Sequence, residues 1–80
     1  MISFKKEQNK ISGEVEDNFS IISQISYRLN NQKWIILKPV DGIYDTNKEK
    51  FIFSIKLNEK SILEIKALDE AGNISHRFVK

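Results

Sequence analysis

The sequence predicts an all-β fold, in which seven short antiparallel strands form a two-sheet sandwich within a single domain covering residues 1–80. Three observations lead to this fold class. The chain has 13 Ile, five Phe, two Tyr and one Trp, the residue types that suit a half-buried pleated surface. Several segments alternate apolar and polar residues, and turn-forming residues separate these segments. A chain of 80 residues builds only a modest core, so a large buried active site is not expected.

The alternation defines the individual strands. Apolar residues or glycine occupy every second position in three segments: Ile11, Gly13 and Val15; Phe51, Phe53, Ile55 and Leu57; Leu63, Ile65 and Ala67. Each of these segments is therefore predicted to bury one face. With the less regular segments included, strands are predicted near residues 2–5, 10–17, 22–29, 33–37, 50–57, 61–68 and 73–79.

The segments near 22–29 and 33–37 are predicted to form a hairpin, because the polar residues 30–32 lie between them. The second arm of this hairpin is apolar at all four positions from 34 to 37, so its pattern does not choose a buried face. We expect the face that carries Trp34 and Ile36 to point into the core.

Composition excludes several classes of function. The 13 basic and 11 acidic residues are interleaved, and Glu64 and Ser54 interrupt the basic positions of the strands, so no nucleic-acid partner is expected. The chain has no Cys and therefore neither a disulfide nor a thiolate metal site. No apolar run reaches the roughly 20 residues that span a bilayer, so no membrane insertion is expected. Residues 1–10 also lack the apolar core of a signal peptide.

Catalysis is not expected, and no catalytic residues are assigned. His76 is the only histidine, and one histidine without cysteine makes neither a zinc site nor a catalytic triad. His76 shares its period with Ile74 and Phe78, which would point it toward the core if the last strand is regular. We expect a partly buried or strand-edge structural histidine.

Five segments in order resemble the immunoglobulin-like (Ig-like), fibronectin-type-III-like domains of bacterial secreted and surface proteins. They are GEVED at 13–17, ISYRLNNQKW at 25–34, DGIYD at 41–45, EKFIF at 49–53 and ALDEAGN at 67–73. The resemblance implies an Ig-like Greek-key sandwich that serves as a non-catalytic spacer or accessory interaction module. It also implies a piece of a longer multidomain protein, located outside the cell or on its surface. Neighbouring domains of the same chain are the implied partners, with protein or glycan as further partners.

In the Ig-like strand order, the loops at residues 17–20, 39–50 and 69–73 meet at one end of the sandwich. They bring five carboxylates to that end: Asp17, Asp41, Asp45, Glu49 and Asp69. Ordinary turn chemistry is our first interpretation, because Asp and Asn side chains bond their own backbone and Gly42 and Gly72 supply positive φ. A calcium ion is the second interpretation, although no complete calcium loop is present, and otherwise no cofactor or metal is expected.

Two aromatic residues are candidates for ligand binding. Tyr44 lies in the long loop, and beside an exposed Trp34 it would form a stacking platform for a glycan or peptide. The simpler interpretation makes Tyr44 a lid folded over the end of the sandwich. The alternative function is therefore a module that binds calcium, a glycan or a protein through the loops at 17–20, 39–50 and 69–73.

Overall fold

The computed structural model describes residues 2–18, 20–40, 42–44 and 46–79. These residues form seven strands and no helix, as the alternation predicts, and within them nothing helical is available to cross a membrane. The strands are β1 (Ile2–Glu7), β2 (Lys10–Glu16), β3 (Ile22–Leu29), β4 (Ile35–Leu37), β5 (Lys48–Ser54), β6 (Leu63–Asp69) and β7 (Ile74–Phe78). Ile55 and Leu57 follow the end of β5 but still pack against the core.

The strands form two antiparallel sheets. One sheet has three strands in the order β1-β2-β5, and the other has four strands in the order β4-β3-β6-β7. The inner faces of the two sheets pack together, because Tyr27 of β3 stacks on Phe53 of β5 with ring centroids 4.3 Å apart. The most deeply buried side chains also come from both sheets: Ile11, Val15, Ile22, Ile25, Phe51, Leu63 and Ile65.

Gly13 is required by close packing at the centre of the three-stranded sheet. It lies between Phe4 of β1 and Phe51 of β5 in the register of the strands. A Cβ added to Gly13 would lie 2.7 Å from Cζ of Phe51 and would overlap the carbonyl oxygen of Ser3. The Phe51 ring thus takes the space that a side chain at position 13 would fill, so glycine and a large aromatic residue are matched across the strands.

The expectation for the face of β4 is wrong. Leu37, rather than Ile36, points inward, since Leu37 is 9% exposed whereas Ile36 is 62% exposed. Leu37 lies opposite the fully buried Ile25, and this register places Ile36 on the outer face. Trp34 precedes β4 and lies over the outer face as well, where its ring contacts two cationic side chains.

The inward orientation expected for His76 is also wrong, because Ile74, His76 and Phe78 all face away from the core, although His76 does lie on an edge strand, β7. In the register of β6 and β7, His76 lies opposite Lys66 and Phe78 lies opposite Glu64 on the outer face. The inner side of β7 instead carries Arg77, which donates a hydrogen bond of 2.7 Å to the carbonyl oxygen of Ile2. The guanidinium of Arg77 also lies over the Phe4 ring at 4.7 Å, so a cation closes the seam between the two sheets.

Candidate functional site

The three loops at 17–20, 39–50 and 69–73 meet at one end of the sandwich, and backbone hydrogen bonds join them. The Asp17 amide donates to the carbonyl of Asn47 at 2.8 Å, and the Ile22 amide donates to the carbonyl of Thr46 at 2.9 Å. The Glu70 amide donates to the carbonyl of Ile21 at 2.9 Å. We call this end of the sandwich, formed by the described residues of the three loops, the loop end.

Asp69 organises the turn between β6 and β7. Its side chain is nearly buried, with 4% of the residue exposed, and its two carboxylate oxygens accept the Asn73 amide at 2.8 Å and the Asn73 side-chain NH₂ at 3.1 Å. Gly72 completes the turn with a positive φ of 89°. Burial opposes ionisation of Asp69, but hydrogen bonds from Asn73, Asp17 and the Ala71 backbone together outweigh it and hold the pKa of this carboxyl below its usual value.

Asp17 and Glu49 also accept hydrogen bonds from their own loops. The Asp17 carboxylate accepts the Ser20 amide at 3.1 Å. Glu49 is 2% exposed, and one of its oxygens accepts the Thr46 amide at 3.0 Å and the Thr46 hydroxyl at 3.2 Å. These contacts are the local side-chain bonds that order turns.

The calcium candidates are only partly brought together. Asp41 and Asp45 lie outside the described residues. Among the described residues, no group of three His, Cys, Asp or Glu side chains has a geometry that could hold a metal ion. The carboxylates of Asp17, Glu49 and Asp69 are already hydrogen-bonded within the loops, and calcium at the five predicted residues stays a prediction.

Tyr44 folds inward from the long loop and packs against the core. Its hydroxyl accepts the Ile25 amide at 3.0 Å and donates to the carbonyl of Leu37, so it bridges β3 and β4 where these residues face each other. Burial raises the pKa of Tyr44, which keeps the hydroxyl protonated and able to donate. Trp34 lies elsewhere, on the outer face of the four-stranded sheet, so Tyr44 and Trp34 do not share one platform.

Tyr44→Phe is expected to lower the free energy of unfolding by about 1–3 kcal/mol, because it removes the partner of two buried backbone groups. Urea unfolding followed by circular dichroism measures this change. Tyr27→Phe is the matched control, since the Tyr27 ring stacks on Phe53 and the stack survives loss of the hydroxyl. An equal loss in both variants would contradict the bridging role of the Tyr44 hydroxyl.

A second cluster, which the sequence did not reveal, lies on the outer face of the four-stranded sheet around Glu64. This carboxylate is on the solvent side of β6 yet only 3% of the residue is exposed. Arg28 of β3 donates to both of its oxygens, with Nη2 at 3.2 Å from Oε1. The His76 Nε2 atom of β7 lies 3.0 Å from the same Oε1. Glu64 thus joins three neighbouring strands through charged hydrogen bonds.

Trp34 covers this ionic cluster. The centroid of its ring lies 4.6 Å from the Arg28 guanidinium carbon and 4.3 Å from the Lys66 ammonium nitrogen. The ring edge also approaches His76, with centroids 6.2 Å apart. The indole therefore reaches from the β4 side of the sheet toward β7, and this cover accounts for the burial of Glu64. The sequence held one signal for this cluster, the position of Trp34 in the hairpin. Trp34 is one residue beyond the Tyr27–Ile35 pair, which brings it beside Arg28.

Acid is expected to destabilise the protein through Glu64. Hydrogen bonds from Arg28 lower the pKa of Glu64 below its usual 4.5; burial opposes this effect, and His76 reinforces it. The folded-state pKa is depressed, so the stabilisation is present in full above pH 4.5 and is lost as the pH falls through the folded-state pKa. Urea midpoints measured between pH 6 and pH 2 should therefore fall less steeply for Glu64→Gln than for the wild type. Parallel pH profiles would contradict this role.

No protein-family model, curated protein or solved structure matches this chain. The interpretation of its function therefore depends on the geometry of the sandwich, the loop end and the Glu64 cluster.

Proposed function

We propose that this chain is an Ig-like, fibronectin-type-III-like sandwich that serves as a non-catalytic spacer and accessory module of a longer bacterial extracellular or surface protein. The strand order supports the proposal. In Ig-like sandwiches, the first two strands share a sheet with a strand from the middle of the chain, while the last two share the other sheet with the third. The orders β1-β2-β5 and β4-β3-β6-β7 are compatible with that arrangement.

The placement of the terminal strands supports the proposed spacer function. Ile2 pairs with Val15 near the loop end, whereas Phe78 pairs with Glu64 near the start of β6 at the opposite end. The strands β1 and β7 therefore run side by side in the same direction, and the chain enters and leaves at opposite ends of a body 37 Å long. Tension applied through these strands would slide them past each other. It would then load the ladders of β1 and β7 together with the Arg77 contact to Ile2.

Single-molecule pulling of three tandem copies tests this function. Each 80-residue copy is expected to unfold in one step that lengthens the chain by about 230–250 Å, which is about 3.3–3.6 Å per residue less the 37 Å folded length. Forced unfolding reports the unfolding rate. Arg77→Ala should therefore lower the unfolding force, because it removes the contact that joins the two terminal strands.

Lys56→Ala is the matched control, since Lys56 follows β5, the strand at the edge of its sheet far from β1. Equal unfolding forces for Arg77→Ala and the wild type, or unfolding in several small steps, would contradict the mechanical role of the terminal strands. Thermal unfolding measured with millimolar calcium and with a chelator distinguishes the spacer from the alternative function, a module that binds calcium at the loop end. A calcium-dependent rise in the melting temperature would favour ligand binding at the loop end, because a ligand stabilises the state that binds it.

A further inference from the structure

The outer face of the four-stranded sheet exposes three large apolar side chains. Ile36 of β4 is 62% exposed, and Ile74 and Phe78 of β7 are 64% and 59% exposed. Half-buried Leu68 lies directly opposite Ile74 in the ladder between β6 and β7. The exposed residues stand on the same face as Trp34, with Ile36 on one edge strand of the sheet and Ile74 and Phe78 on the other. We call this surface, with Lys66 and His76, the outer face.

The accessible charge of the outer face is positive. The register places one carboxylate among the described residues of this face, that of Glu64, and it is nearly buried and bonded to Arg28 and His76. Lys66 stands beside it with its ammonium against the Trp34 ring. The Arg28 side chain keeps 29% of its surface exposed. A partner therefore meets cationic and apolar groups, and the one carboxylate that the described strand register places on this face is already paired.

The other sheet provides an internal comparison. Its outward positions mix acidic and basic side chains, with Glu14 opposite Lys50 in the register. The Glu14 carboxylate also lies 3.7 Å from the ammonium of Lys48. Among the described residues of β1, β2 and β5, Ile52 is the one large apolar side chain that is exposed, at 48%. That surface has the balanced charges of a solvated sheet face, which the outer face of the four-stranded sheet lacks.

We propose that the outer face of the four-stranded sheet docks an acidic protein segment. Apolar side chains of the segment would cover Ile36, Ile74 and Phe78, and its carboxylates would meet Lys66 and the exposed edge of Arg28. The exposed apolar side chains of this face favour a protein partner over a polyanion such as RNA, because a phosphate backbone has no apolar surface that could cover them. A second copy is disfavoured, because a two-fold contact would bring the same cations together, and the one carboxylate among the described strand residues of this face, Glu64, is nearly buried. This inference goes beyond the spacer function and does not depend on it.

Selection of random twelve-residue peptides displayed on phage, with the full chain as the target, tests the proposal. Enriched peptides are expected to combine Asp or Glu with large apolar residues. Calorimetry with the synthetic peptides should show that Ile74→Ser and Lys66→Glu each weaken binding by about tenfold or more, as is usual at the centre of an interface. Ile52→Ser is the matched control on the opposite sheet and should leave the affinity unchanged within twofold.

Thermal unfolding of each variant confirms that it is folded, and Ile74 and Ile52 are exposed enough for serine to be tolerated. Several results would overturn the proposal: no enriched peptide, enrichment of basic peptides, or acidic peptides whose affinity ignores the outer-face changes. Tighter binding of polyuridylate than of any peptide, lost in Lys66→Glu, would assign the face to nucleic acid instead. A dimer in sedimentation velocity that Ile74→Ser dissociates would assign it to a second copy.

Discussion

Phe51→Ala is expected to lower the free energy of unfolding by about 3–5 kcal/mol, the usual cost of removing a buried aromatic ring. Phe51 is 1% exposed at the centre of the three-stranded sheet, where its ring covers Gly13 and approaches Phe53 at 6.2 Å. A chain of 80 residues has a total stability of about 4–12 kcal/mol, so this change removes a large share of it. Urea unfolding followed by circular dichroism and Trp34 fluorescence measures the loss.

Ile52→Ala is the control for Phe51→Ala, because it alters the next residue of the same strand on the opposite face. Ile52 is 48% exposed, so its loss should cost less than about 1 kcal/mol, mostly through strand propensity. Similar losses for the two variants would mean that the ring of Phe51 does not anchor the core in solution.

Gly13→Ala is expected to lower the free energy of unfolding by about 1–3 kcal/mol. Two effects compete at this position. Alanine restricts the unfolded chain, which alone would stabilise the protein by about 0.4–1 kcal/mol. The added Cβ would overlap the Ser3 carbonyl oxygen and press on the Phe51 ring. Overlap prevails because one of the two opposing groups is backbone, which cannot rotate away as a side chain can.

A double-mutant cycle separates the two contacts of the added methyl group. Phe51→Leu removes the ring from position 13, so Gly13→Ala should cost less in that background than in the wild type. Part of the cost should remain, since Ser3 is unchanged. Ser12→Ala, on the neighbouring outward position, should be nearly neutral. A stabilising Gly13→Ala would show that β1 shifts freely to admit the methyl group.

The core strands could be predicted from the sequence because their alternation is regular. Phe51 and Ile65 are buried as their period requires, and Ile52 is exposed as it requires. The face of β4 could not be predicted, because four consecutive apolar residues carry no period of two. Its choice depends on the register with β3, where Leu37 lies opposite Ile25, and register is a tertiary property.

The sequence predicted Tyr44 as an inward-folded lid, but it could not predict the burial of Glu64 or the backbone partners of the Tyr44 hydroxyl. Glu64 occupies a polar position in the alternation of β6, and it is buried among side chains of other strands: Arg28 and His76 bond it, and the Trp34 ring lies over Arg28. Tyr44 binds backbone groups of β3 and β4, which approach it only after the hairpin has formed. The turn at Asp69, by contrast, could be predicted from the sequence, because its hydrogen bonds to Asn73 join residues only four positions apart.

The strand order also has a consequence for the time that folding takes. Ile11 pairs with Phe53 and Ile25 pairs with Ala67, and in each pair the partners are 42 residues apart in the chain. The β2–β5 and β3–β6 ladders can therefore form only after a long stretch of chain has closed into a loop. The chain loses the entropy of that closure before the burial of side chains compensates it. Such nonlocal pairing is typical of domains that fold in milliseconds to seconds rather than microseconds. While the chain is unpaired, the apolar strands on both sides of each closure are exposed to other chains, so dilute refolding is expected to give the higher yield.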